Sequence, residues 1–256
     1  MAGPRILILG GTTEARRLAE ALSQRPDLEV MLSLAGRTAA PLPQPVPYRT
    51  GGFGGAEGLA QYMRAEGIGL LVDATHPFAA RISGNAAMAA GMAAVPAIAL
   101  RRGSWQPVEG DRWISVPGVA EAIAALGAAR RRVFLAIGRQ EAHQANSAPM
   151  HSYVVRSVDP VDPPLAVPDA VYIRDLGPFR LQDELHLMRQ HAIEVVIAKN
   201  SGGSATYAKI EAARVLGLEV IMIERPADSG LPAFETPEAA LAAILHLLSP
   251  EMKRGV

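Results

Sequence analysis

The chain reads as an α/β protein of two Rossmann-like lobes, with mainly parallel sheets and a cleft between the lobes. Three observations predict this. Short β-branched or aliphatic runs alternate with Ala-rich helical segments, the signature of βαβ units. The alternation breaks once, over Arg101–Val116, a segment that holds both tryptophans, Trp105 and Trp113. At 256 residues and 49 % hydrophobic content the chain can bury one large core or two moderate ones. The break sets the expected domains at 1–115 and 116–256.

In the first lobe, strand Ile6–Leu9 leads to helix Thr13–Leu22, strand Val30–Leu34, helix Glu57–Glu66, strand Leu70–Ala74, helix Phe78–Ala90 and strand Ala97–Leu100. Four prolines between 41 and 47 exclude helix there and mark a surface excursion. The second lobe runs through helix Val119–Leu126, strands Val133–Ile137 and Tyr153–Val158, helix Gln182–His191, strand Val195–Ala198, helix Ala205–Leu216, strand Val220–Ile223 and helix Pro237–Leu248. The loop Asp159–Pro168, with four prolines, inserts into it.

Composition excludes several functions. Without cysteine there is no disulfide, thiolate nucleophile or iron–sulfur cluster, so redox chemistry needs a bound carrier. A formal charge of zero argues against a nucleic-acid surface, although 22 of the 25 basic residues are arginines, which suit carboxylate and phosphate. His143, His151, His186 and His191 lack metal-ligand spacing, so no metal is implied. The absence of a signal-like start or a membrane-length apolar run predicts a cytoplasmic protein without membrane contact.

The turn Gly10-Gly11-Thr12-Thr13-Glu14-Ala15-Arg16 follows the first strand, where nucleotide-binding folds let backbone approach a pyrophosphate. Thr12 and Ala15 stand where a G-x-G-x-x-G fingerprint needs glycine, so position carries most of the argument. Thr12 and Thr13 can donate hydroxyls to phosphate while capping the helix, or simply cap it. The second strand ends Ser33-Leu34-Ala35-Gly36-Arg37 without the carboxylate that usually holds NAD ribose hydroxyls. For a dinucleotide, Ser33 and Arg37 would therefore favour NADP through its 2′-phosphate. Gly51-Gly52-Phe53-Gly54-Gly55 permits close backbone approach, with Phe53 as a stacking or packing face. Thr75, His76 and Pro77 leave a strand end towards the ligand side, where His76 could donate a proton, orient a coenzyme or cap the turn. In the second lobe Arg139, Lys199 and Arg225 each follow an apolar strand. With Arg156, Lys209 and the turn Asn200-Ser201-Gly202-Gly203 they predict a site for an anionic, carboxylate-rich ligand.

Taken in order, Ile-Leu-Ile-Leu-Gly-Gly-Thr-Thr-Glu-Ala-Arg, Ala-Gly-Arg-Thr, Gly-Gly-Phe-Gly-Gly, Asp-Ala-Thr-His-Pro-Phe-Ala and Ala-Lys-Asn-Ser-Gly-Gly resemble the precorrin-6A reductase family of cobalamin biosynthesis, which includes the cobalt-precorrin-6A reductases. The resemblance spans nearly the whole chain. It implies a two-lobed fold without the usual dinucleotide fingerprint, and reduction of precorrin-6A to precorrin-6B by hydride transfer from NADPH to one double bond of the macrocycle, at carbons 18 and 19. On that footing Gly10, Gly11, Thr12, Thr13, Ser33, Arg37, Gly52, Phe53, Gly54, Thr75, His76 and Pro77 are assigned to coenzyme. Arg16, Arg139, Lys199, Ser201, Lys209 and Arg225 are assigned to substrate carboxylates, His76 is the candidate proton donor, and hand-over to the next pathway enzyme is a further expectation. The rival partition places coenzyme in the second lobe. An S-adenosylmethionine-dependent methyltransferase of the corrin pathway and a non-catalytic tetrapyrrole-binding protein are the competing readings.

Overall fold

The computed structural model describes residues 3–36 and 42–249. In chain order the elements are β1 (Arg5–Leu9), α1 (Thr13–Ser23), β2 (Glu29–Leu34), β3 (Tyr48–Thr50), α2 (Ala56–Ala65), β4 (Ile68–Asp73), α3 (Ala80–Ala93), β5 (Ala97–Leu100), β6 (Arg112–Val116) and α4 (Val119–Ala124). There follow β7 (Arg132–Ala136), a 3₁₀ turn over Ala142–Ser147, β8 (Ser152–Ser157), β9 (Ala170–Arg174), α5 (Leu181–Gln190), β10 (Val195–Lys199), α6 (Ala208–Val215), β11 (Glu219–Ile223), β12 (Ala233–Phe234) and α7 (Pro237–Leu247).

Two compact units form, one from residues 1–103 with 226–256, the other from 104–225. The first holds a six-stranded sheet in the order β3-β2-β1-β4-β5-β12, the second a six-stranded sheet in the order β9-β8-β7-β10-β11-β6, and the strand pairs are parallel. Both orders are those of a doubly wound nucleotide-binding sheet, with the reversal of winding beside β1 and β7. The expected boundary at 115/116 falls inside the second unit. Chain connectivity explains this: β6 completes the second sheet against β11, whereas β12 returns after the second unit to pair with β5 of the first.

Packing follows from the two-residue period of a strand. Ile6 and Ile8 of β1 pack with Leu18 and Leu22 of α1 and with Ala240 and Ile244 of α7. Leu7 and Leu9 turn to the opposite face, against Leu59 and Met63 of α2 and Ala86 and Ala89 of α3. In the second unit Phe134, Val154, Val196 and Met222 cover α5 and α6 through Leu185, Met188, Ile210 and Ala213. Strands buried on both faces need continuous apolar runs, which is what the sequence supplies in β1, β4 and β10. No helix among the described residues is long and apolar enough to cross a membrane.

Candidate active site

In the first unit the described residues assigned to coenzyme lie at the carboxyl ends of β1, β2, β3 and β4. Gly10 extends β1 by donating its N–H to the Ser33 carbonyl at 2.9 Å. A Cβ there would stand 2.7 Å from Leu32 Cδ1, so a side chain at this position would have to displace the buried Leu32. Gly11 has φ +113°, and nothing lies within 4 Å of where its Cβ would be. Thr12 caps α1: its Oγ1 accepts from the Ala15 N–H at 3.1 Å and donates to the Ala74 carbonyl at 2.9 Å. That hydroxyl proton is directed into the fold, so in this arrangement Thr12 shapes the turn rather than donating outward to a phosphate as the sequence suggested. Thr13 and Glu14 open the first turn of α1, where backbone N–H groups lack intrahelical acceptors. Glu14 pairs with Arg102 at 2.6 Å, and Arg16 is exposed one position past the Ala15 cap contact.

At the β2 edge the sequence reading missed the central residue. Arg49 of β3 lies in register with Ser33, which is buried. Its Nη1 donates to Ser33 Oγ at 3.0 Å and to the Gly51 carbonyl at 2.9 Å, and its Nη2 donates to the Gly52 carbonyl at 3.3 Å. Its guanidinium carbon stands 4.0 Å from the centroid of the Phe53 ring, whose edge packs on Tyr62. Arg49 therefore covers the Phe53 face that the sequence offered to a ligand, and it braces the glycine loop. Gly51, Gly52 and Gly54 have nothing within 4 Å of their Cβ positions, while Gly58 anchors the loop because a Cβ there would overlap the Phe53 carbonyl. Arg37 lies outside the described residues.

At the end of β4 the buried Asp73 accepts at Oδ1 from the Thr75 N–H (3.1 Å) and hydroxyl (2.6 Å). Its Oδ2 faces Arg101 Nη2 at 3.7 Å; Arg101 also donates to Ser83 Oγ at 3.2 Å and pairs with Asp228. His76 is exposed and its Nδ1 accepts from the Phe78 N–H at 3.2 Å, which assigns the neutral ring's proton to Nε2. Pro77 is buried beside it.

The second unit places its cations at the equivalent strand ends. Lys199, closing β10, pairs with Glu141, and Arg139 stands 3.9 Å from Asp159. Arg225 donates through Nε to the Asn200 carbonyl at 2.8 Å. The Asn200 side chain in turn holds the Trp105 backbone, accepting its N–H at 2.8 Å and donating to its carbonyl at 3.1 Å. Ser201 is buried in that turn, and Gly203 accepts from Trp105 Nε1 at 2.8 Å. Lys209 is also buried, 4 % exposed, with Nζ donating to the Thr206 carbonyl at 2.6 Å and lying 5.0 Å from the Trp105 ring. The buried Arg156 is engaged by Glu184 and lies 3.7 Å from the Phe179 ring centroid.

A nicotinamide dinucleotide fits the first unit on its own geometry. Gly11, after β1 beside the sheet's reversal point, and Gly51, Gly52 and Gly54, after the edge strand β3, have open Cβ positions that let a flat, phosphorylated ligand reach the backbone.

Residues 5–245 match the family described as precorrin-6x reductase CbiJ/CobK. A precorrin-6A reductase of Sinorhizobium sp. is 60 % identical over 98 % of this chain and 96 % of its own length. One from Rhodobacter capsulatus is 50 % identical over 87 % and 88 %. A solved structure of CobK precorrin-6A reductase superposes with a TM-score of 0.91 at 46 % identity, covering 95 % of this chain and 97 % of that one. Neither the methyltransferase nor the non-catalytic reading is favoured by these matches. The chain belongs to the precorrin-6x reductase family and is an oxidoreductase.

Proposed function

We propose that this reductase converts precorrin-6A to precorrin-6B in cobalamin biosynthesis, with NADPH as reductant and the first unit as its binding site. The open backbone at the ends of β1 and β3 supports this reading, because nothing lies within 4 Å of the Cβ positions of Gly11, Gly51, Gly52 and Gly54. Gly10, Gly11 and the first turn of α1 hold the pyrophosphate, Thr12 fixes the turn, and Gly52–Gly54 with Ser33 hold the adenosine side. Thr75, His76 and Pro77 border the reacting end. When bound, NADPH supplies hydride chemistry; the chain's task is orientation, charge complementarity and exclusion of water.

In the second unit Arg139, Lys199, Ser201, Lys209 and Arg225 serve the acetate and propionate groups of the macrocycle, and in the first Arg16 is assigned the same carboxylate chemistry. Lys199 and Arg139 already carry Glu141 and Asp159, protein carboxylates of the same chemistry, which supports a carboxylate preference. His76 is the proton donor to the carbon next to the reduced one, acting as the imidazolium, in which Nδ1 gives up its contact with the Phe78 N–H. The enzyme works in the cytoplasm on a small-molecule substrate and hands its product to the next pathway enzyme.

The direct test mixes the purified chain with precorrin-6A and NADPH and follows the nicotinamide absorbance, with cobalt-precorrin-6A as a parallel substrate. Stoichiometric NADPH loss with formation of a dihydro product is expected. Binding of both ligands without consumption would reject the reaction.

A further inference from the structure

We propose that Arg49 is the specificity-determining residue of the coenzyme pocket, presenting the side edge of its guanidinium to the phosphate monoester on the adenosine ribose. This rests on the placement of the coenzyme in the first unit and names the residue and atoms that choose the phosphorylated form.

Arg49 has five N–H donors in a fixed fork. Three are committed: two on Nη1, to Ser33 Oγ and the Gly51 carbonyl, and one on Nη2, to the Gly52 carbonyl. The donors left are Nε–H and the second Nη2–H, which have no partner among the described residues. These two share one edge and match two phosphate oxygens side by side. Phe53, 4.0 Å below the guanidinium carbon, and Ser33 hold that edge in one orientation, so little side-chain entropy remains to be lost on binding.

The surroundings favour an anion here. The β2 terminus reads Ser33-Leu34-Ala35-Gly36, with no carboxylate to neutralise the guanidinium. Ser33 Oγ accepts from Arg49 and so keeps its own proton to give. Nothing lies within 4 Å of the Cβ positions of Gly51, Gly52 and Gly54, which leaves room for a tetrahedral group beside the fork. Glu57, in the first turn of α2, has its Oε2 3.5 Å from the Gly55 Cβ position and makes no ion pair with Arg49. A ribose 2′-hydroxyl alone would leave the guanidinium edge half used, so the site discriminates by charge.

The test uses the whole chain without precorrin, and titrates adenosine 2′,5′-bisphosphate and adenosine 5′-monophosphate by calorimetry. The bisphosphate is expected to bind about ten- to a hundredfold more tightly, the worth of one charge-assisted contact. Arg49→Gln should bring the ratio of the two dissociation constants close to one, and Arg49→Lys, which keeps charge but loses the fork, part of the way. The ratio is informative because loss of loop bracing weakens both ligands together. An unchanged ratio in either folded variant overturns the inference while leaving the coenzyme reading intact. Equal binding of both nucleotides by the unsubstituted chain also overturns it, whereas the absorbance assay independently decides the reaction. A measurement needing no variant is phenylglyoxal labelling followed by peptide mass analysis. Protection of Arg49 by the bisphosphate but not the monophosphate supports the inference, and equal labelling overturns it.

Discussion

Arg156 and Glu184 form an ion pair with both side chains almost wholly removed from solvent, the guanidinium lying between the Phe134 and Phe179 rings. Such a pair returns little net stability when whole, because desolvation offsets its attraction, but removing one partner strands a charge. Glu184→Leu or Arg156→Met should each cost about 3–5 kcal/mol in urea unfolding. The double substitution should recover most of that loss. Additive losses would mean that the two residues are not coupled.

Thr12 joins two strand ends through one hydroxyl, accepting from Ala15 N–H and donating to the Ala74 carbonyl. Thr12→Ala is expected to destabilise the fold by about 1–2 kcal/mol, the usual worth of a helix cap. Thr12→Ser should restore both bonds. Because the proton points into the fold, KM for NADPH should move severalfold less in Thr12→Ser than in Thr12→Ala, as read by initial rates.

Glu141 occupies Lys199 with the chemistry expected of the substrate. Glu141→Gln removes the competing charge and should lower KM for precorrin-6A severalfold with kcat little changed. Lys199→Met should raise KM. A higher KM in both would assign Glu141 to presenting Lys199 rather than competing for it.

His76→Ala tests proton donation. Loss of a positioned donor should lower kcat by about a hundredfold or more and remove the corresponding limb of the pH–rate profile. An unmoved profile would leave His76 as the cap that its Nδ1 contact with Phe78 N–H already makes it.

His151 supplies a pH signature remote from catalysis. It is buried, and its Nδ1 accepts from the Arg131 N–H at 3.2 Å. Burial holds its pKa below the ordinary imidazole range, with the Arg131 charge acting the same way and the Gly127 backbone opposing. An unfolded histidine titrates near about pH 6.5, so below that value the unfolded chain takes up a proton that the folded chain refuses. Stability should therefore fall as pH drops through about 6.5, and level off once the folded-state pKa is passed. Melting temperatures of His151→Gln, which retains an acceptor but does not titrate, should fall less between neutral and mildly acidic pH.

The elements legible in the sequence are those whose burial writes a pattern. β1, β4 and β10 are apolar on both faces, and the expected ends of α1 and α7 lie within one residue of those observed. β3 carries no such pattern, since Tyr48 and Thr50 are exposed and it holds only three residues on the edge of its sheet. Missing β3 hid Arg49, whose role depends on register with Ser33 and not on any local motif. β9 has the same edge character, with Val171 and Tyr172 exposed. β6 is not legible locally because its partner, β11, lies more than 100 residues away. The cations of the second unit were found by their place after apolar strands, but their partners Glu141 and Asp159 depend on tertiary contacts that a linear reading does not contain.

Because β12 and α7 belong to the first unit, synthesis order and assembly order differ. The ribosome releases β1 early, yet the face formed by Ile6 and Ile8 awaits Ala240 and Ile244, which emerge only after all of 104–225 has been made. The nascent amino-terminal half must wait with that face covered by α1 but not yet by α7 while its neighbour completes. A chain stopped at residue 225 would not be a shorter enzyme but an unfinished one, with its exposed surface in the half proposed to bind coenzyme.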